Sequence, residues 1–202
     1  MSRTAAMGAL RARIESIEGE RRTSRATLPF GLREVDTRLP GGGLVLGALH
    51  EVAGDGNGAL DGAAALFVAG IAARLKGKAL WCMTRADLFA PAITQAGLDP
   101  DRIIYVETGD EKSVLACFEE GLRHGGLGCV VAELAQLSMT ASRRLQIAAE
   151  ASGTMGLVLR RRQTEATDFG QPTAASTRWR VSVLPSRPLP VPGVGDIAGW
   201  WN

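Results

Sequence analysis

The sequence predicts an α/β fold, a mostly parallel sheet with helices on both faces, and three observations predict it. From about Leu44 onward, short β-rich runs alternate with helical ones at a spacing of roughly 25 residues, and parallel neighbours need such a crossover. Two of the runs, Cys129-Val130-Val131-Ala132 and Leu157-Val158-Leu159, are apolar without interruption, as strands buried on both faces are. A glycine-rich turn then joins one strand run to a helical pattern near position 54, where α/β proteins hold phosphate groups.

In chain order, residues 1–22 place Leu10, Ile14 and Ile17 at i, i+4 and i+7, one apolar stripe on a helix otherwise broken by Arg11, Arg13, Glu15 and Glu18. That stripe docks on the chain's own domain, on a partner or on a second copy, and the pattern leaves these open. A linker runs from Thr23 to Phe30. The strand runs are Val45–Val52, Ala79–Thr84, Ile103–Val106, Cys129–Glu133, Met155–Leu159 and Trp179–Leu184. Between them lie helical patterns at Asp61–Lys76, with Asp61 able to cap, Leu88–Ala96, Glu111–His124 and Met139–Ala151. Pro185, Pro188, Pro190 and Pro192 then exclude both helix and central strand, so the tail is read as extended, ending in Trp200 and Trp201. The expected organisation is a helical arm and linker at 1–27, an α/β domain at 28–184 and an extended tail at 185–202.

Composition excludes several classes. With 202 residues, 46% hydrophobic and 22% charged, the chain has the make-up of a folded globular domain. Its 23 basic and 21 acidic residues leave a formal charge of +2, too small a field to imply nucleic acid or an anionic membrane globally. Cys82, Cys117 and Cys129 lie in apolar runs without C-x-x-C spacing, as in a reduced cytosolic protein, and no stretch reads as a signal peptide or a membrane span. His50 and His124 are too few for a metal centre, and His50 reads as a core histidine. Ser138 and Ser142 lack the glycine frame and neighbouring base of a hydrolase nucleophile.

The glycine-rich turn carries Gly54, Gly56 and Gly58, but a working phosphate loop has the spacing G-x-x-x-x-G-K-[ST]. Counted from Gly54, the last three positions hold Ala59, Leu60 and Asp61. Leucine replaces the cation, and an aspartate competes with phosphate for the positive helix end. Nucleotide is expected to bind weakly or not at all, with ATP and magnesium the ligands of any residual site.

The run Leu28-Pro29-Phe30-Gly31-Leu32-Arg33-Glu34-Val35-Asp36, then Leu39-Pro40-Gly41-Gly42-Gly43-Leu44, then Gly47-Ala48-Leu49-His50-Glu51-Val52, resembles the lead-in to a RecA-type core. With the missing lysine, the arginine-bearing N-terminal helix and the Trp179-Arg180-Val181 strand, the chain is similar over about residues 5 to 193 to the ImuA family, RecA-like accessory proteins of bacterial damage-induced mutagenesis that also resemble the division inhibitor SulA. The family pattern continues into a basic C-terminal region, which Asp196–Asn202 does not match.

The resemblance implies a cytoplasmic protein, nucleoid-associated on DNA damage, that works in SOS-induced translesion synthesis. Its partners would be ImuB, a Y-family polymerase homologue, an error-prone replicative-type polymerase and RecA. It also maps ATPase positions onto this chain: the water-activating glutamate falls at Arg85 or Ala86, the metal-supporting aspartate at Glu133 and the γ-phosphate-sensing glutamine at about Arg161. These joint departures predict a non-catalytic adaptor. The alternatives are a divergent DNA-stimulated ATPase using Glu133 and a SulA-like inhibitor of division. Arg160, Arg161 and Arg162 fall where RecA has its DNA-contacting loop; they are read either as phosphate contacts to single-stranded DNA or as a solvated strand end. Arg143 and Arg144 read as a solvated helix face.

Overall fold

The computed structural model describes residues 25–54, 58–161 and 171–184, with Met7 and Arg13 besides, and at 58–61 the backbone alone. The chain divides into two units, Met1–Gly47 and Ala48–Asn202, so the segment 28–47 groups with the first unit and not with the sheet that follows.

In the first unit, β1 (Thr27–Leu28) pairs antiparallel with β2 (Leu44–Val45), and helix α1 (Arg33–Asp36) and a 3-10 turn at Pro40–Gly42 lie between them. Gly31 and Asp36 of the Leu28–Asp36 run explain each other. Gly31 turns the chain with φ +79°, and the Asp36 carboxylate accepts the N–H groups of Phe30 at 2.6 Å and Gly31 at 2.9 Å. Gly43 is forced by contact, since a Cβ there would lie 2.5 Å from the Leu28 carbonyl oxygen.

The second unit runs β3 (Leu49–Gly54), α2 (Gly58–Ala73), β4 (Ala79–Met83), α3 (Ala90–Gln95), β5 (Ile103–Glu107), α4 (Glu111–His124), β6 (Cys129–Leu134), α5 (Met139–Ser152), β7 (Met155–Arg160) and β8 (Thr177–Val181). Its six strands form one sheet in the order β5-β4-β6-β7-β3-β8, every pair parallel, which is the predicted α/β architecture.

Alternation along the strands gives the sheet two differently covered faces. On one, Leu49, Cys82, Val130, Ala132 and Val158 pack with Val114, Phe118 and Leu122 of α4 and Leu145, Ala148 and Ala149 of α5. Trp81, Val131, Leu157 and Leu159 point to the other face, and there Phe67 of the alanine-rich α2 meets Trp179 of β8 at 5.5 Å between ring centroids. Asp110 and Ser138 cap α4 and α5 through the N–H groups of Ser113 and Ala141, and Gly125 and Gly153 end these helices with left-handed backbone.

Three boundaries differ from the sequence expectation for identifiable reasons. The run Val45–Val52 is not one strand, because Gly47 (φ +61°) breaks it between the two units. Helix α2 sits three residues earlier than Asp61–Lys76. Arg102 secures its end by donating to the carbonyls of Ala73 (2.8 Å), Gly77 (3.0 Å), Leu75 and Ala72 (3.3 Å), the last of which also accepts the Leu75 N–H. The last strand begins at Thr177 because it registers on β3, Thr177 opposite His50 and Val181 opposite Gly54, where its partner stops. The stripe of Leu10, Ile14 and Ile17 and the tail 185–202 lie outside the described residues.

Candidate functional site

A parallel sheet gathers the carboxyl ends of its strands along one edge, and α/β proteins hold their ligands there. At that edge the chain brings together one side chain from β6, one from just after β7 and one from the loop after β4. Glu133 is buried, its Oε1 accepting from the Trp81 indole N–H at 2.8 Å and its Oε2 from Arg161 Nε at 2.7 Å. Arg161 Nη2 also pairs with Asp87, and the Arg161 backbone N–H donates to the Leu134 carbonyl at 3.0 Å. The result is a bridged triad, carboxylate, guanidinium, carboxylate, with an indole at its inner end.

Burial pushes the Glu133 carboxyl above its ordinary value and Asp87 adds to that, while Arg161 and the Trp81 donor pull the other way without cancelling it. Burial opposes the charge of Arg161, but Glu133 and Asp87 together outweigh it and hold its pKa above the ordinary value. Each oxygen of Glu133 thus already receives a donor, and the guanidinium already has two acids.

A second network lies on the opposite face, around a carboxylate that the sequence did not single out as a site residue, with Arg160 as one of its members. Glu51, in the middle of β3, is fully buried. Its Oε1 receives Arg160 Nη1 at 2.6 Å, and its Oε2 receives Arg178 Nε at 2.9 Å and the Thr173 hydroxyl at 2.8 Å. Arg160 also donates from Nε and Nη2 to the Ala135 carbonyl, at 3.1 and 2.8 Å. The network ties β3, β7 and β8 to the segment before β8.

The glycine turn has the strand–turn–helix setting of a phosphate loop: β3 ends at Gly54 and α2 begins at Gly58. Gly56 and the side chains of Ala59, Leu60 and Asp61 lie outside the described residues. Among the described residues, no group of three or more His, Cys, Asp or Glu is placed to hold a metal ion, and no helix is long and apolar enough to cross a membrane.

The chain matches no protein-family model. It is 40% identical over 184 residues to Protein ImuA of Caulobacter vibrioides, in each of two strains, an alignment taking in 86% of this chain and 75% of the relative. The chain belongs to the ImuA family. Membership supports a role as an accessory protein of damage-induced mutagenesis. Among solved structures, SulA from Pseudomonas aeruginosa is 28% identical, with a TM-score of 0.46 over 55% of this chain and 96% of that one.

Within this ImuA-family chain the residues singled out from sequence separate. Glu133 and Arg161 are brought together in the triad. Their third partner is Asp87, one or two residues beyond the Arg85 or Ala86 to which the family pattern pointed; the Arg85 side chain is exposed, and its Nε lies 4.0 Å from Asp87. Arg160 is not a surface arginine. Successive residues of β7 face opposite ways, so Arg160 turns inward to Glu51 while Arg161 meets Glu133, and Arg162 lies outside the described residues. Arg144 and Arg123 both pair with Glu119. His50 is buried with Nδ1 2.8 Å from the Thr177 hydroxyl, Ser138 caps α5, and Ser142 donates to the Met139 carbonyl and accepts the Ala174 N–H. Glu51 was legible in one respect: a carboxylate inside an apolar strand demands a buried cation.

Proposed function

We propose that this chain is a non-catalytic adaptor of SOS-induced translesion synthesis, joining an ImuB-type Y-family polymerase homologue, RecA and an error-prone replicative-type polymerase. The observation that carries the reading is the triad at the carboxyl edge. By the family resemblance, Glu133 and Arg161 stand at the metal-supporting and γ-phosphate-sensing positions of a RecA-like ATPase, and here they are bonded to each other and to Asp87. A carboxylate must be open to a cation, and a phosphate sensor open to an anion, for hydrolysis to use them. The replacement of the phosphate-loop lysine by Leu60 removes the remaining charge-assisted contact in the same direction. A contact with single-stranded DNA falls, in this reading, to Arg162 and its neighbours, because Arg160 is buried.

Calorimetric titration with Mg–ATP, with and without single-stranded DNA, beside a phosphate-release assay, tests the proposal. No heat and no release at millimolar nucleotide, with retention of ImuB and RecA in pull-downs, is the expected result. Micromolar binding with DNA-stimulated release would overturn it.

A further inference from the structure

Two of the three cysteines meet across the layer between sheet and helix. Cys82 is fully buried in β4, and Cys117 of α4, partly buried, packs against the same apolar cluster. Cys129 lies elsewhere, because it begins β6 and it is the next residue, Val130, that turns to that cluster.

Register sets the two side chains opposite each other. The strands are parallel and α4 is the crossover from β5 to β6, so α4 runs back against β4. One point of contact fixes the alignment: Gly121 sits over Leu80, where a Cβ would lie 2.7 Å from Leu80 Cδ2. Cys82 is two residues further along β4 on the same face, a rise of about 6.6 Å. Cys117 is one turn back along α4 on the same face, a step of about 6 Å in the same direction. Gly121 also lets the helix settle close to the strand, since a side chain there would press on both Leu80 and Val130.

The electrostatics agree. Burial first, and then the charge of a nearby Cys117 thiolate, push the Cys82 thiol up to about 12. The two thiols therefore differ in kind. Cys82 stays protonated and closed to reagents in solvent, and Cys117 is the one that solvent reaches.

We propose that Cys82 and Cys117 are a redox pair, which a hydroperoxide closes to a disulfide between β4 and α4. The Cys117 sulfur takes the terminal oxygen of the hydroperoxide and becomes a sulfenic acid; the O–O bond breaks, and an alcohol departs, or water where the oxidant is hydrogen peroxide. The Cys82 sulfur then attacks that sulfur. The S–S bond forms, the S–O bond breaks, and the Cys82 proton leaves with the hydroxide as water. The two thiols lose two electrons and the hydroperoxide gains them. The closed bond ties the strand that leads into the Asp87 loop to the helix whose Glu111 accepts the Ala135 N–H at 2.9 Å, and so fastens the elements beneath the carboxyl edge. The inference stands on the packing of α4 on β4 and does not depend on the adaptor reading.

The reduced full chain is treated with hydrogen peroxide, the remaining thiols are blocked with iodoacetamide in denaturant, and tryptic peptides are read by mass spectrometry without reduction. Trypsin leaves each cysteine in its own peptide, residues 79–85, 113–123 and 124–143. Expected is one cross-link, between 79–85 and 113–123, in most chains, formed at a rate independent of protein concentration, reversed by dithiothreitol and kept in Cys129→Ser. In Cys82→Ala, Cys117 stops at the sulfenic acid, and dimedone traps it at least tenfold more than in the unsubstituted chain. A cross-link that forms only in urea, one that joins Cys129, a yield that rises with protein concentration, or Cys117 oxidised further while Cys82 remains a free thiol would each overturn the proposal.

Discussion

Replacing Glu51 by leucine tests whether the buried network holds the sheet together. The carboxylate is fully buried and bonded to Arg160 (2.6 Å), Arg178 (2.9 Å) and Thr173 (2.8 Å). Glu51→Leu leaves the Arg160 guanidinium, its side chain 8% exposed, with the Ala135 carbonyl and no counter-charge. Stranding a buried charge in this way costs about 3–5 kcal/mol. For a domain of this size that is a fall of roughly 6–20 °C in Tm. Arg178 adds little to the cost, because at 25% exposure it can turn to water. The cost belongs to the stranded charge and not to lost attraction, so Glu51→Leu combined with Arg160→Met should recover most of it, an apolar pair in place of an ionic one. Urea unfolding followed by circular dichroism measures both variants. A loss below about 1 kcal/mol in the single variant, or a double variant no more stable than the single, would refute the reasoning.

Four further outcomes are expected. The folded-state pKa of Glu133 lies above its ordinary 4.5, so the stability associated with its protonation is present at low pH and is lost as pH rises through the folded value. Glu133→Gln abolishes that slope in urea melts from pH 4.5 to 8, and Arg161→Gln, which removes the largest opposing influence, moves the Glu133 carboxyl resonance to titrate at still higher pH. Burial pushes the Cys82 and Cys129 thiols up to about 12, so at pH 8 iodoacetamide should label both on the order of 1000-fold more slowly than after unfolding, as peptide mass spectrometry will read. Arg102→Met strips the donors from the end of α2 and should cost about 2 kcal/mol, with faster amide exchange over Leu75–Gly77. Double-mutant cycles should couple Arg160 with Glu51, and Arg161 with Glu133, by about 1–3 kcal/mol, and the crossed pairs by less than about 0.5 kcal/mol, because the two networks lie on opposite faces.

Periodicity made the sheet legible, and Glu111–His124 appears with both its predicted ends because Asp110 and Gly125 are local signals. Boundaries set by distant contacts were not legible in the same way. The end of α2 depends on Arg102, from a segment 29 residues beyond Ala73, and the start of β8 on register with β3. The site follows the same division. Glu133 and Arg161 were placed by the family resemblance, which maps its positions onto the ends of two apolar strand runs. Asp87 was passed over, because which of Arg85, Ala86 and Asp87 turns toward the sheet depends on how the chain leaves β4, and no period governs a loop. Glu51 was read as part of a family pattern and not as a charge in need of a partner 109 residues away.

The consecutive arginines carry the main lesson of the structure. Three in a row suggest one positive surface, but a strand has a period of two, so the first two serve opposite faces of the sheet. Arg160 neutralises the carboxylate of β3 under α4 and α5, and Arg161 neutralises that of β6 at the carboxyl edge. A one-residue slip of β7 would bring each toward the wrong face, so the pair fixes the register of β7 more sharply than its apolar residues alone. The two networks are unequal in what they allow. That around Glu51 buries its carboxylate completely and its Arg160 almost so, reaching water through Arg178, and its chemistry is that of a fastening. That around Glu133 is partly open, since Arg161 keeps 26% and Asp87 41% of its side-chain surface, and it joins the loop after β4 to the chain leaving β7. Among the described residues, Arg161 is the one charge that joins these two segments, answering Glu133 on one side and Asp87 on the other.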